Sequence, residues 1–458
     1  MRSVRVLVGS MLLLCSVTAG TAAADPPPTH EFPVPQLGTP GFLPDLQRWI
    51  DQVIPSPIQP NTADPAAELA ALHAAVLPSP VGDPIFDQWP AGLNELAPGD
   101  LIESRDITAT AAWLTVVPIR SATLLKFRTE DAHGRPSYAT ATLIVPATEW
   151  TGSGDRPVLV NNLPIDALGR KCTPGYSLAH GLTTQSSATE FMPPTTQLAV
   201  LRGYAVLVPD HQGPWMAYAE PYVAGHAVLD SIRAVRGVDP TSYGESRFAM
   251  TGYSGGAIAT HGAAKLIDSY APELADAIVG AALGGVPADF EILSRSMNAN
   301  LASGIFMAAT FAIGRERPEI LAAMNNLGRW VTTSIMKDTC ASVFALPGIL
   351  HLPIDVGANI ADPLRSELAT EIYEITRMQG LRSATPLYIY NGDQEFWIPA
   401  EGAHNLYLEQ CDLGANAVYR GVLGEHIIGA VTGYPEAMLW LDERLLGVAA
   451  RSECATAR

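Results

Sequence analysis

Lysine is scarce in this chain of 458 residues, and the basic residues it has form no cluster. Only four of its 28 basic residues are lysines, and 46 acidic residues give a formal net charge of −18. Nucleic acids and anionic membranes attract proteins chiefly through positive charge. The composition therefore argues against a nucleic-acid partner and against electrostatic docking on an acidic membrane. Any docking on a lipid surface has to use apolar groups.

Two further absences narrow the class of protein. Beyond the N-terminal segment, no uninterrupted apolar run reaches the length of about 18 residues that a membrane-spanning helix needs. No cysteines stand at the Cys-x-x-Cys or Cys/His spacing of zinc sites, so a zinc site is not expected. Hydrophobic residues make up 48% of the chain, which favours a folded protein over a disordered one.

The N-terminal segment has the pattern of a secretory signal peptide. Arg2 and Arg5 precede an apolar run at 6–17, and small residues follow up to Ala24. We therefore predict a signal peptide over residues 1–24, cleaved near Ala24, and a secreted protein, either extracellular or associated with the cell envelope. Export would place the remaining four cysteines in an oxidising compartment, where two disulfides are expected and three pairings are open.

The next segment, residues 25–80, is rich in proline. We interpret it as an extended N-terminal arm with two short helices, near 43–53 and 66–76, that serves as a linker or lies along the protein surface.

From about residue 81, short apolar strands alternate with helices, which predicts an α/β fold with a mostly parallel central sheet and helices on both faces. Strands are predicted at 121–129, 138–146, 157–164, 204–211, 247–252, 276–285, 387–392 and 416–422. Residues 288–380 break this rhythm with helical patterns alone. We predict a large helical cap there, inserted between core segments 81–287 and 381–458, over the edge where such sheets bind ligands.

Ser254 is the first candidate for chemistry, in the sequence GYSGG. It directly follows the predicted strand 247–252 and precedes a helix that opens with Gly255 and Gly256. This strand–turn–helix setting is that of a nucleophile elbow, where the sharp turn admits only small neighbours. The helix N-terminus offers free N–H groups, and the N–H of Gly255 is the natural donor to an oxyanion.

A nucleophilic serine needs a base and an acid further along the chain. Among ten histidines, His426 follows the late strand 416–422, as the serine–acid–histidine order of an α/β-hydrolase requires. The acid is expected after the strand that ends at Gly392. Counting from Gly392 in the frame that ends in Ile-Pro favours Glu395, and Asp393 stays the alternative.

Several stretches together resemble the secretory lipase family of α/β-hydrolases. They include FDQWPAGLNELAPGDLIESRDI, RGYAVLVPDHQGP, GHAVLDSIRAV, RFAMTGYSGGAIAT, SYAPEL, EQCDLGAN and EHIIGAV, and the resemblance runs from about Pro84 to the C-terminus. It implies an exported enzyme with an α/β-hydrolase fold and a helical cap. Such an enzyme hydrolyses acylglycerols and other esters with a Ser-acid-His triad and needs no metal or cofactor.

The resemblance also assigns roles to residues. Ser254 matches the family nucleophile and His426 the base. Glu395 stands where the family carries an aspartate, so the chain departs from the family pattern at the acid. The oxyanion hole would be formed by Asp166, in the loop after an early strand, and by Gly255.

The same resemblance pairs Cys172 with a cysteine of the cap, which here is Cys340. Cys411 then pairs with Cys454.

We expect a secreted, serine-dependent carboxylic ester hydrolase, a lipase that cleaves acylglycerols through an acyl-enzyme on Ser254. Residues 304–313 and the segment after His426 are apolar enough to line or gate an acyl channel, although ordinary core packing explains them equally well. The alternatives are a short-chain or cell-envelope esterase or acyltransferase, and a catalytically silent lipid-binding protein. The expected partners are an ester substrate and, transiently, a lipid interface. No obligatory protein partner is indicated.

Overall fold

A computed structural model describes residue 35 and residues 41–61, 63–182, 194–340 and 345–456. The predicted signal peptide lies outside these residues, as does most of the first part of the arm.

Nine strands in the described residues form a single sheet. They are β1 Leu101–Asp106, β2 Ile119–Glu130, β3 Pro136–Pro146, β4 Val158–Asn162, β5 Ala205–Pro209, β6 Phe248–Tyr253, β7 Ile278–Gly284, β8 Leu387–Gly392 and β9 Ala417–Val422. Their order across the sheet is β1-β2-β3-β5-β4-β6-β7-β8-β9. β1, β2, β3 and β5 pair antiparallel, and every pair from β5–β4 onward is parallel. The predicted fold class, an α/β-hydrolase with a mostly parallel sheet, is confirmed.

Seventeen α-helices accompany the sheet in the described residues. They are α1 Phe42–Val53, α2 Pro65–Val76, α3 Pro84–Asp87, α4 Thr108–Thr115, α5 Pro174–His180, α6 Thr195–Leu201, α7 Pro221–Val238, α8 Pro240–Tyr243, α9 Gly255–Tyr270, α10 Phe290–Met297, α11 Ser303–Glu316, α12 Glu319–Ala322, α13 Asn326–Thr333, α14 Ala345–Ile349, α15 Glu367–Arg377, α16 Ala400–Asp412 and α17 His426–Leu445. Local capping explains several starts. Asp64 accepts a hydrogen bond from the N–H of Ala67 at the start of α2, and Asp289 caps α10 in the same way.

The central strands are buried on both faces, which is why they appear in the sequence as continuous apolar runs. Alternate side chains of β4 point to opposite sides of the sheet. Val158 and Val160 join the core beneath α7, α9 and α16, whereas Leu159 joins the core beneath α4, α5, α6 and α17. Helices therefore cover both faces of the sheet, and the carboxyl ends of its parallel strands meet at one edge.

Helices α10 to α15 lie between β7 and β8, within the region predicted to be a cap. The described part of 288–380 contains no strand, only an isolated bridge between Met324 and Ala358. These helices have an apolar core of their own, which includes Phe306 and Leu321. Ile258 of α9 and Ile398 from the loop after β8 complete it, so the cap rests on the nucleophile helix and on the acid-bearing loop.

The described part of the arm packs on the cap. Its helices α1 and α2 begin one residue before the predicted 43–53 and 66–76. The side-chain amide of Gln47 donates to the carbonyls of Asp355 and Ile360 at 2.8 and 3.0 Å. Glu68 pairs with Arg329 at 2.9 Å, and Leu72 and Val76 join the cap's core. The described part of the arm thus makes specific contacts with one part of the molecule. None of the helices in the described ranges is long and apolar enough to cross a membrane.

Two disulfides are present in the part of the chain that the structure describes, and they are the two that the resemblance implied. Cys172–Cys340 joins the loop after β4 to the cap, with a sequence separation of 168, and Cys411–Cys454 joins α16 to the C-terminal segment, with a separation of 43.

Removing the disulfide between core and cap is expected to destabilise the protein more than removing the other. If a disulfide acts by lowering the entropy of the unfolded chain, the one that closes the longer loop stabilises the fold by about 5 kcal/mol and the other by about 4 kcal/mol. We expect Cys172→Ser with Cys340→Ser to lower the free energy of unfolding by several kcal/mol in a non-reducing urea titration. Cys411→Ser with Cys454→Ser is the matched control. An unchanged unfolding midpoint in the first variant would contradict this expectation.

Candidate active site

The turn that carries Ser254 is built from glycines that no other residue can replace without a clash. Ser254 stands between β6 and α9 with φ 54° and ψ −123°, a conformation that costs energy for a residue with a side chain. A Cβ placed on Gly252 would lie 2.1 Å from the carbonyl oxygen of Gly256, and one placed on Gly256 would lie 1.9 Å from that of Asn162. These close approaches produce the sharp turn, which projects Ser254 at the carboxyl edge of the sheet.

Ser254, His426 and Glu395 are joined by hydrogen bonds. The Oγ atom of Ser254 lies 3.0 Å from Nε2 of His426, the first residue of α17. Nδ1 of the same ring lies 2.6 Å from Oε2 of Glu395, in the loop after β8. The other carboxylate oxygen, Oε1, accepts from the backbone N–H groups of Trp397 and Ile398 at 2.9 and 3.3 Å. The Glu395 side chain is fully buried, so these bonds fix the carboxylate against the imidazole.

Asp393, the alternative acid, lies outside this group. It is exposed, and its carboxylate lies against Gly421, where an added Cβ would come within 2.4 Å of Oδ1. Its backbone N–H donates to the carbonyl of Val422. Asp393 thus extends the pairing of β8 with β9, and the chain turns back toward His426 only at Glu395.

Aromatic side chains that the sequence did not single out hold the histidine. The hydroxyl of Tyr253 donates to the carbonyl oxygen of His426. The rings of Tyr253 and Trp397 lie 5.1 and 5.7 Å from the imidazole, centre to centre. Tyr253 directly precedes the nucleophile, a position that could have drawn attention to it. Trp397 carries no comparable sequence signal.

Asp166 lies beside the nucleophile, in the loop after β4. A Cβ placed on Gly255 would come within 1.8 Å of Asp166 Oδ1, so these residues are in direct contact. Within the described residues, the backbone N–H groups of Gly255 and Asp166 have no hydrogen-bond acceptor. Two free amides beside a serine side chain have the chemistry of an oxyanion hole.

The Asp166 carboxyl group is buried, and burial raises its pKa to about 6. The nearby His426 and the Tyr218 hydroxyl act in the opposite direction and lower this pKa. The carboxyl group therefore takes up a proton at a higher pH than an exposed aspartate, and in that protonated form it repels a developing oxyanion less.

These groups open into an apolar cavity of about 280 Å³. A second cavity of about 420 Å³ lies within the cap, and the two share Phe290, Phe306, Thr310 and Ile313 as wall residues. The sequence segment 304–313 therefore lines both cavities. Ile427, Ala430 and Val431, from the segment after His426, line the first. No group of three or more histidine, cysteine, aspartate or glutamate residues in the described ranges could hold a metal ion.

Fold and site together define a class: a capped α/β-hydrolase whose serine, histidine and glutamate side chains are connected by hydrogen bonds. Within that class, the chain belongs to the secretory lipase family, whose model matches residues 178–453.

Solved structures and curated relatives agree with this assignment. The closed state of Candida antarctica lipase A superposes with a TM-score of 0.74 at 25% identity, over 83% of this chain and 90% of that one. A probable inactive lipase of Mycobacterium tuberculosis is 29% identical over 84% of this chain and 86% of its own length. Lipase 2 of Candida albicans is 28% identical, over 81% and 82%. Trichothecene C-3 esterase of Fusarium sporotrichioides is also 28% identical, over 82% and 86%. Membership of a family of lipases and esterases supports a hydrolase.

Proposed function

We propose that the protein is a secreted carboxylic ester hydrolase that cleaves acylglycerols through an acyl-enzyme on Ser254. One observation carries the proposal: Ser254 and His426, which are joined by hydrogen bonds to each other and to Glu395, line an apolar cavity large enough to hold part of an acyl chain. Secretion is supported by the family and by the two disulfides.

The reaction takes two steps of acyl transfer. His426 Nε2 removes the proton of Ser254 as Oγ attacks the ester carbonyl carbon. The N–H groups of Gly255 and Asp166 stabilise the resulting oxyanion. The alcohol leaves with the proton from His426, and water then attacks the acyl-enzyme in the same way. Glu395 accepts from Nδ1–H throughout and stabilises the imidazolium without taking its proton.

A long acyl chain fits the walls of the site better than a short one. The second cavity continues the apolar surface of the first into the cap, and the residues that the two share are mostly hydrophobic. A short-chain or cell-envelope esterase or acyltransferase would use the same chemistry but leave the cap cavity without a use. This continuity favours acylglycerols of long-chain acids as substrates.

The mouth of the site also supports transient docking on a lipid surface. Ile427 and Val431 line the cavity and are 55% and 66% exposed, and Ile428 between them is half exposed. Leu423 and Phe396, from neighbouring loops, are exposed as well. With a formal net charge of −18, such docking would rest on these apolar side chains and would favour a neutral interface.

A series of p-nitrophenyl esters, from acetate to stearate, tests this function on the purified mature protein. Each methylene buried in the cavity is worth about 0.8 kcal/mol, roughly fourfold in kcat/KM. We therefore expect kcat/KM to rise steeply from acetate to medium-length chains, and emulsified triacylglycerol to be hydrolysed.

The other outcomes are distinct. Turnover confined to the shortest esters would identify an esterase, and acyl transfer to an added alcohol in preference to water would identify an acyltransferase. Fatty-acid binding without turnover of any ester would identify a silent lipid-binding protein.

A further inference from the structure

Arg315, in the last turn of α11, is a buried cation bonded entirely to backbone carbonyls. It is 2% exposed, and within the described residues no carboxylate lies at ion-pair distance from it. Its guanidinium donates to five carbonyl oxygens at 2.8–3.2 Å, those of Val76, Leu168, Trp215, Met216 and Lys337. Burial lowers the pKa of Arg315 to about 9, so the group remains charged at neutral pH. Removing a guanidinium from water costs free energy, and the hydrogen bonds to the five carbonyl oxygens offset this cost.

Two of the segments that Arg315 binds flank Asp166. Leu168 stands two residues after Asp166 in the same loop. Trp215 and Met216 belong to the loop that carries Tyr218, whose hydroxyl lies close enough to the Asp166 carboxyl group to lower that group's pKa. The guanidinium therefore bonds to the Asp166 loop, which supplies an oxyanion donor. It also bonds to the Tyr218 loop, which lies against the Asp166 side chain.

The other two segments belong to the arm and the cap. Val76 is the last residue of arm helix α2, and Lys337 lies three residues before Cys340 of the core–cap disulfide. The N–H of Leu168 also donates to the carbonyl of Thr339 at 3.0 Å. One side chain thus joins the arm, the cap and both loops next to the nucleophile.

These two loops need a restraint because their backbone is strained. Asp166, Met216 and Ala219 have φ values of 41°, 53° and 69°, although none of them is glycine. Residues persist in such conformations only when surrounding contacts impose them. Arg315 donates hydrogen bonds to the carbonyl of Met216 itself and to that of Leu168, two residues beyond Asp166.

We propose that Arg315 is a positioning residue for the oxyanion hole: it acts through the Asp166 and Tyr218 loops and makes the hole depend on a properly seated cap and arm. The inference rests on the proposed function. Arg315 is not among the residues that line the cavity at Ser254, so it has no part in holding the acyl chain. Its effect should therefore fall on stabilisation of the transition state and spare binding of the ground state.

The test compares Arg315→Lys and Arg315→Gln with Arg317→Lys. Arg317, two residues further on, is also buried, but it pairs with the carboxylate of Glu220 and not with loop carbonyls. Each variant is assayed for kcat and KM on p-nitrophenyl decanoate. Affinity is then measured for a decyl trifluoromethyl ketone, which adds to the serine Oγ and forms an oxyanion, and for decanoic acid, which occupies the acyl cavity alone. Melting temperature and circular dichroism report folding.

We expect Arg315→Lys to lower kcat by about 10- to 100-fold, less than the loss of an entire oxyanion donor, with KM within roughly threefold of wild type. Affinity for the ketone should fall by a similar factor, while affinity for decanoic acid stays unchanged. Arg315→Gln should lose at least as much activity, and Arg317→Lys should keep wild-type kcat.

Three results would overturn the inference. One is a kcat in Arg315→Lys equal to that of Arg317→Lys. Another is a parallel loss of ketone and decanoic acid affinity. The third is failure of both Arg315 variants to fold when Arg317→Lys folds, which would make Arg315 a residue of stability alone. A wild-type protein that binds decanoic acid but neither turns over the ester nor adds to the ketone would reject the proposed function, and this inference with it.

Discussion

Replacing Ser254 by alanine is expected to abolish ester hydrolysis, with a fall in kcat of about 10⁵- to 10⁶-fold. Its Oγ atom is the proposed acyl acceptor, and no acyl-enzyme forms without it. The protein should still fold, because the hydroxyl bonds only to His426 in the described structure and the strained turn depends on the glycines around it. Initial rates on p-nitrophenyl decanoate, with circular dichroism of the variant, measure both expectations.

A covalent probe adds an independent readout. An alkyl fluorophosphonate should label Ser254 in the wild-type protein, as located by mass spectrometry of the digested chain, and should leave Ser254→Ala unlabelled. Ser231→Ala is a suitable control, since Ser231 is a buried serine on α7 whose hydroxyl bonds to the carbonyl of Val228. Activity retained in Ser254→Ala, or label found on another serine, would refute the proposed nucleophile.

Turnover has to be measured because family membership does not guarantee it. A relative in Mycobacterium tuberculosis that matches 84% of this chain is named a probable inactive lipase, whereas relatives in Candida albicans and Fusarium sporotrichioides are named a lipase and an esterase. Function depends on the site and not on the fold that carries it. In this chain the serine–histidine–glutamate bonds and the free amides beside them are the features that favour activity.

The strands that could be predicted from sequence are those with a mostly apolar or β-rich sequence. Strand β8 has the predicted bounds, 387–392, and β6 is displaced by one residue from 247–252, because continuous apolar runs mark strands covered on both faces. β1 escaped prediction. Its sequence LIESRD is half charged, and the strand lies at the edge of the sheet with mostly exposed side chains, so no apolar pattern marks it.

The candidate site was predictable where local pattern and chain order carry the information. Glycines around Ser254 mark the turn, and the order of elements points to His426. The groups that support the site leave no such trace. Tyr218 reaches Asp166 from a loop 52 residues away, and Arg315 binds carbonyl oxygens, which every residue type possesses. Only the folded chain brings these groups together.

Sequence alone left the acid open between Glu395 and Asp393, and two amide substitutions in the same loop can decide between them. Glu395→Gln is expected to lower kcat by about 10³- to 10⁴-fold with little change in KM. A glutamine can present its NH₂ group to Nδ1, which favours the tautomer with the proton on Nε2, and that nitrogen can then no longer accept the proton of Ser254. Asp393→Asn is the matched control and should keep kcat within roughly twofold of wild type, as for most exposed sites.

Full activity in Glu395→Gln together with a collapse in Asp393→Asn would mean that the loop rearranges in the working enzyme and that the exposed carboxylate is the acid. Loss of activity in Glu395→Gln alone would show that a glutamate, one methylene longer than the aspartate of the family pattern, can orient the catalytic histidine.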